Sequence, residues 1–216
     1  LAGVTRSNGT LRVGAMTRQR AVERDPGVAA AVPLLAAAVP FIGHTQIRNR
    51  GTIGGSIAHA DPASELPAVA LALGAELEVA SASATRRVPA TEFFEGTWTT
   101  CLADDELLVA VHFPVWEGRC GFAFEEVARR SGDFALAGVA TAIEVDDDGI
   151  VRRAALGLLA MGGTPLRPAA AEAAIIGRAP DASDLDEIAT LAVSDLDPPD
   201  DIHASSAYRK RIGAHL

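Results

Sequence analysis

The spacing of hydrophobic and polar positions changes period several times along the chain, and each change marks an element. Thr10 to Met16 (TLRVGAM), after the Ser7-Asn8-Gly9 turn signal, reads as a strand. RQRAVERDPGVAAAVPLLAAAVPFIG reads as helical pieces interrupted at Pro26, Pro33 and Pro40, with the Ala-rich run around Leu34 and Leu35 as core helix. Leu66, Val69, Ala70 and Leu73 then recur at helical spacing, and AELEVAS alternates as a strand does. VPATEFFEG is a turn and a short segment, and DELLVAVHFPV is a further strand that ends at Pro114. From Gly121 the pattern shifts. GFAFEEVARR, FALAGVATAIEV, the turn DDDG and IVRRAALGLLAMGG predict an antiparallel sheet joined partly by a hairpin. Leu166 to Ala174 and SDLDEIATLAVSDL supply two helices packed on that sheet. No segment repeats at a fixed period. The shift falls inside WEGRCG, near residues 115 to 120, which predicts two domains, 1–117 and 118–216.

Composition narrows the classes. The chain has 216 residues, 49% hydrophobic and 22% charged, as a globular protein with a substantial core would. A net charge of -9 argues against a general binder of nucleic-acid backbone, which shows a basic excess or stripe, yet leaves a single anionic cofactor open. With only Cys101 and Cys120 there is neither a disulfide framework nor the thiolate set of an iron–sulfur cluster or structural zinc site. A reducing, cytoplasmic setting is the expectation. No run reaches the roughly 18 apolar residues of a membrane span, and no charged n-region precedes an apolar one. The chain opens on Leu1 in what reads as the lead-in to a hairpin, so a preceding N-terminal part is expected.

Residues 47–68, IRNRGTIGGSIAHADPASELPA, hold the most pointed chemistry. Asp61 followed by Pro62 is a good cap and first-turn pair, so a helix is expected just after the glycines. Gly54 and Gly55 permit positive φ and close approach of a ligand, with the Thr52 and Ser56 hydroxyls on either side. Such a turn can hold a diphosphate without net positive charge. It can equally be a tight connection between packed elements, since the spacing is neither G-x-G-x-x-G nor G-x-x-x-x-G-K-[ST].

The wording of the stretch carries more. RNRGTIGGSIAHADPASELPAVALALGAELEV closely resembles the second flavin-binding segment of the FAD subunit of molybdenum hydroxylases, the group that includes the medium subunit of aerobic carbon monoxide dehydrogenase and the flavin domain of xanthine dehydrogenase. LRVGAMTRQRAVE, FEEVARRSGDFALAGVA and DIHASSAYRKR resemble further family segments in the same order. The resemblance implies an α+β fold: an FAD-binding lobe of the vanillyl-alcohol oxidase-like type, then a smaller domain of antiparallel sheet and helices. Thr52, Ile53, Gly54, Gly55 and Ser56 inherit the family's diphosphate turn. Glu65, matched within D-P-A-S-E-L, inherits a flavin hydrogen-bonding role to which Asp61 contributes. Leu107 and Leu108 match positions bordering the ring system. Arg129, Arg130, Gly132, Asp133 and Phe134 match the loop that faces the isoalloxazine. Glu125 stands where some relatives carry a lysine, a departure from the family pattern.

The implied job is electron transfer through FAD. Substrate is oxidised at a molybdenum cofactor in a large partner subunit, electrons cross 2Fe-2S clusters in a small one, and the flavin passes them to an external acceptor, in a heterotrimer or its dimer. No catalytic acid or base and no metal site is expected in this chain. The family's A-G-G-x-S lobe has no match here, so these 216 residues alone are expected to bind FAD weakly. A self-contained flavin oxidase and a flavin-free scaffold are the alternatives.

Other residues keep plainer readings. His44 and His59 flank the turn, and His59 reads as a sensor of flavin charge or as a structural histidine. Arg48 and Arg50 face a phosphate, a partner or solvent. His112 reads as partly buried structure, and Asp146, Asp147 and Asp148 as a hairpin turn. Asp195, Asp197, Asp200 and Asp201 lack calcium-loop spacing. Trp98 and Trp116 read as packing residues, with an interface role as the alternative.

Overall fold

The structure, a computed structural model, describes residues 1–179 and 181–216, leaving the side chains of Ala182 and Ser183 undescribed. A hairpin of β1 (Val4–Ser7) and β2 (Thr10–Gly14) turns at Asn8 and Gly9, both at positive φ, the conformation that favours these two residue types in tight hairpins. Three short helices follow, α1 (Gln19–Arg24), α2 (Pro26–Ala31) and α3 (Pro33–Ala38), then a 3-10 turn at Val39–Phe41. The prolines divide this run as the sequence predicts. At α2, the Asp25 carboxylate accepts from the Gly27 and Val28 N–H groups while Pro26 fills the first position, where no N–H is needed.

Next come α4 (Thr45–Arg48), α5 (Ile53–His59) and α6 (Glu65–Leu73), then β3 (Glu76–Ala80), β4 (Thr85–Pro89) and α7 (Ala90–Phe93). A small hairpin of β5 (Phe94–Gly96) and β6 (Thr99–Thr100) precedes β7 (Leu107–Pro114). The chain then runs through β8 (Arg119–Ala128), β9 (Ala135–Val145) and β10 (Val151–Leu159), and closes with α8 (Ala169–Ile175), α9 (Ala182–Ser194) and α10 (Ser206–His215). The strands form a five-stranded sheet in the order β1-β2-β7-β3-β4 and a three-stranded sheet in the order β10-β9-β8, antiparallel throughout.

Helix α6 lies between the two sheets. All nine of its residues are buried, and it packs on β7 on one side and on β9 and β10 on the other. Burying Leu66, Val69, Leu71 and Leu73 contributes about 1.5–3 kcal/mol each relative to exposure. One core cluster therefore joins Leu77 and Val111 of the first sheet to Ala140, Ala155 and Leu159 of the second. A separate cluster under α8, α9 and α10 covers the other face of the second sheet.

The contact on β10 is made possible by Gly157. A Cβ there would lie 2.3 Å from the Ala68 carbonyl oxygen and 3.0 Å from the Ala72 Cβ. Backbone cannot yield as a flexible side chain can, so Gly157→Ala is expected to overpack the junction by roughly 1–3 kcal/mol and lower Tm by about 5 °C. Gly121→Ala, with nothing within 4 Å of its added methyl, is the control and should melt as the wild type does. Differential scanning calorimetry of both variants decides; equal melting of the two would show that α6 does not approach β10 so closely.

Candidate functional site

The glycine segment folds differently from the expectation of a loose turn before a helix. Helix α5 begins inside it, at Ile53, with Thr52 as the cap: the Thr52 Oγ1 accepts from the Gly55 N–H at 3.0 Å. Neither Gly54 nor Gly55 has positive φ. Gly54 is needed for packing, since a Cβ there would lie 2.3 Å from the Ala15 Cβ at the end of β2, and its N–H donates to the Ala15 carbonyl at 2.9 Å. The Ile53 N–H donates to the Thr17 carbonyl and the Ser56 N–H to the Thr52 carbonyl. The backbone donors of this turn are thus used within the chain, which leaves the Thr52 and Ser56 hydroxyls and the bare surface of exposed Gly55 to meet a ligand. A phosphate fits that set: two hydroxyl donors beside a position without a side chain.

Asp61 does not cap the following helix, which starts at Glu65 after Ser64. Its Oδ1 accepts from the Ala63 N–H at 2.9 Å and its Oδ2 from the Trp98 indole N–H at 3.1 Å. Asp61 opens onto a cleft of about 870 Å³ where the two halves of the chain meet, which also takes in Trp98, Arg129, Gly132, Phe134 and Ile202. Three large apolar side chains stand exposed there: Trp98 at 67%, Phe134 at 59% and Ile202 at 93%. Converging exposed apolar groups with a few polar ones is the make-up of a small-molecule site. A flat ring system fits between such walls. Phe134 thus lines the same cleft as Asp61.

The remaining expected residues are placed elsewhere. Ile53 is fully buried beneath the turn, and Leu108 lies in the core on β7. Leu107 is exposed at the start of β7 but does not line the cleft. Arg48 is neither exposed nor free for a phosphate: it is buried, donating to both Glu23 carboxylate oxygens and to the Ile42 and Gly43 carbonyls. His112 is buried structure, its Nε2 2.6 Å from a Glu78 oxygen that Arg12 also holds. Trp116 packs under the Arg153 guanidinium, but Trp98 overturns the packing expectation. An aromatic between threonines at a two-residue hairpin tip had nothing to bury it, and that was the available signal.

Glu65 is buried at the start of α6, and burial pushes its carboxyl up to about 7, with the nearby Asp61 charge adding to the rise. A second carboxyl belongs with it. Burial, together with the Glu65 charge, raises Glu126 to about 8, and its Oε2 is buried without a hydrogen-bond partner among the described residues. Glu125, singled out in the sequence, is the exposed neighbour. The alternation Phe122, Phe124, Glu126 along β8 was the sign that Glu126 turns inward.

Two family models cover nearly the whole chain: the FAD binding domain in molybdopterin dehydrogenase matches residues 1–116, and the CO dehydrogenase flavoprotein C-terminal domain matches residues 122–216. The chain is 37% identical over 212 residues to the 6-hydroxypseudooxynicotine dehydrogenase complex subunit alpha of Paenarthrobacter nicotinovorans, covering 98% of this chain and 72% of the relative. It is 32% identical over 216 residues to the carbon monoxide dehydrogenase medium chain of Hydrogenophaga pseudoflava, covering 100% and 75%. A solved structure of carbon monoxide dehydrogenase from Hydrogenophaga pseudoflava, lacking the Mo-pyranopterin moiety, superposes with a TM-score of 0.95 at 34% identity over 99% of this chain and 74% of that one. The architecture seen here, mixed α/β with antiparallel sheets, is that fold.

The carboxyl pair has a measurable consequence. Below about 4.5 both groups hold protons in the folded and unfolded chain alike. Above it the unfolded chain ionises while the folded protein keeps its protons, so stability is lost as pH rises toward 7 and 8 and levels off beyond. Glu126→Gln is expected to raise Tm at pH 8, roughly 2–4 °C for each kcal/mol relieved, and to change it little at pH 4.5. Thermal melts across that range check it; an equal change at both ends would mean that Glu126 does not titrate with folding.

Proposed function

Because this chain belongs to the FAD-binding subunits of molybdopterin dehydrogenases, relatives of the carbon monoxide dehydrogenase medium chain and the xanthine dehydrogenase FAD subunit, we propose that it passes electrons from partner subunits through FAD to an external acceptor. It is an oxidoreductase subunit, and its cofactor is FAD. The observation that carries the reading is the match of fold and sequence along nearly the entire chain to one flavin-bearing subunit. When bound, FAD supplies the exchange of one or two electrons, and the protein supplies orientation and electrostatics.

In this reading the Thr52 and Ser56 hydroxyls and the surface of Gly55 hold the diphosphate, with Ile53 and Gly54 fixing the turn from beneath. Asp61 and Phe134 border the ring system in the cleft. Glu65 stands near Asp61 as a buried carboxyl, while Leu107 and Leu108, off the cleft on β7, take no direct part. Residues 1–117 form the second part of an FAD-binding lobe of the vanillyl-alcohol oxidase type, and 118–216 the C-terminal domain. The two family matches, which end at 116 and begin at 122, support that division. The chain spans 72% and 75% of the length of these two relatives, so the activity of the whole protein is part of the proposal. Electrons arrive from the 2Fe-2S clusters of a small subunit, fed by a large molybdenum-cofactor subunit, in a heterotrimer or its dimer.

Two experiments test this. Co-expression with the neighbouring large and small subunits should yield a stable complex on native purification; recovery of monomer alone would count against the assembly. Within that complex, Gly54→Ala and Gly55→Val should separate stability from binding. An added methyl at Gly54 meets Ala15 at 2.3 Å and should cost about 1–3 kcal/mol of stability. At Gly55 the added group meets only the Thr52 Oγ1, at 2.8 Å, so Tm should drop by far less while FAD affinity falls about tenfold, or roughly 1.4 kcal/mol. Full flavin retention by Gly55→Val would remove the diphosphate from this turn.

A further inference from the structure

Trp98 combines features that packing does not explain. It stands at φ +56, a left-handed conformation that bulky residues seldom adopt, at the tip of the β5–β6 hairpin. Its ring is 67% exposed, so the strain is not repaid by burial in the chain itself. It is nonetheless held from several sides. The backbone N–H donates to the Ala60 carbonyl at 3.0 Å, the indole N–H donates to Asp61 at 3.1 Å, and the imidazole of His59 lies nearly parallel at 17° with centroids 6.3 Å apart. The neighbouring Thr97 hydroxyl donates to the Gly163 carbonyl at 3.2 Å, which ties the hairpin to the segment after β10. Asp61 is itself fixed by the Ala63 N–H, so the indole is anchored to a rigid acceptor.

An aromatic ring that is strained, pinned and left open to a cleft is organised ahead of a ligand. The ligand surface facing it should be flat and aromatic, because indole gains most from offset stacking or edge contact with another ring. We propose that Trp98 is a positioning wall of the flavin cleft, with Asp61 orienting its indole against the isoalloxazine. This rests on the reading of the cleft as the FAD site. It adds Trp98, and a role for Asp61 exerted through Trp98, to the residues that resemblance assigns.

The test uses the full-length polypeptide that contains this chain, stripped of flavin and titrated with FAD by calorimetry, together with the fluorescence of the bound flavin. An indole in contact with the isoalloxazine quenches flavin emission by photoinduced electron transfer, whereas leucine and phenylalanine do not. Trp98→Leu is expected to weaken FAD binding about fivefold to tenfold and to raise bound-flavin emission severalfold. Trp98→Phe should recover most of the affinity, through its flat ring, while the emission stays high. Circular dichroism should show both variants folded, as expected for a side chain that the core does not use. Unchanged affinity and emission in Trp98→Leu would overturn the proposal, as would weaker binding without a rise in emission, which would mark an effect of the turn alone. Wild-type protein that binds no FAD would instead overturn the reading of the cleft.

Discussion

The structure depends on a helix held between two sheets. Helix α6 is buried along its whole length, and it meets β10 at Gly157, where an added Cβ would lie 2.3 Å from the Ala68 carbonyl oxygen. Ala68 and Ala72 keep that side of the helix thin, and close-packed interiors do not tolerate an added group where two backbones meet. A single core results. Its continuity fixes how the two halves of the chain sit, so the cleft between them is a product of the same contact.

That cleft is assembled from loops rather than from regular elements. The β5–β6 tip supplies Trp98, the connection after α5 supplies Asp61, the β8–β9 loop supplies Phe134, and the segment before α10 supplies Ile202. Arg209, buried on α10, donates to the Leu136 carbonyl and to Asp201, which holds that last segment against β9. Mobile-looking pieces are thus tied at their ends to packed strands and helices, the arrangement in which loops carry function on a rigid scaffold.

Charge is handled in two ways. On the face of the first sheet away from α6, Arg12, Glu78 and His112 satisfy one another across three strands, and the Arg12 and His112 hydrogen bonds hold Glu78 below the ordinary carboxylate range. Glu65 and Glu126 have no ion pair with a cation among the described residues, and desolvation raises their carboxyls to about 7 and about 8. Glu65 feels the charge of Asp61 on the cleft, and Glu126 lines a separate hollow with Phe41, Arg130 and Gly132. Their protonation is the cost of placing polar groups where the two halves join.

The sequence by itself determined the long strands, the proline-divided helices, the hairpin at Asp146 to Gly149 and the family, because period, turn residues and the order of motifs are local properties of the chain; the short strands β4, β5 and β6 and the last helix α10 it did not reveal. Ser7-Asn8-Gly9 and the alternation of β9 and β10 were legible for that reason. Only the tertiary structure decided which glycine packs and which faces out, since Gly54 and Gly55 are indistinguishable until Ala15 is brought against one of them. It also decided that Thr52 caps a helix, that Asp61 holds an indole, that Arg48 is buried on Glu23, and that Glu126 rather than Glu125 turns inward. The exposure of Trp98 is set by the tertiary structure for the same reason. Its exposure and its partners come from segments 37 residues away and more, and burial and hydrogen bonding are set by what the fold carries to a residue rather than by its neighbours in the chain.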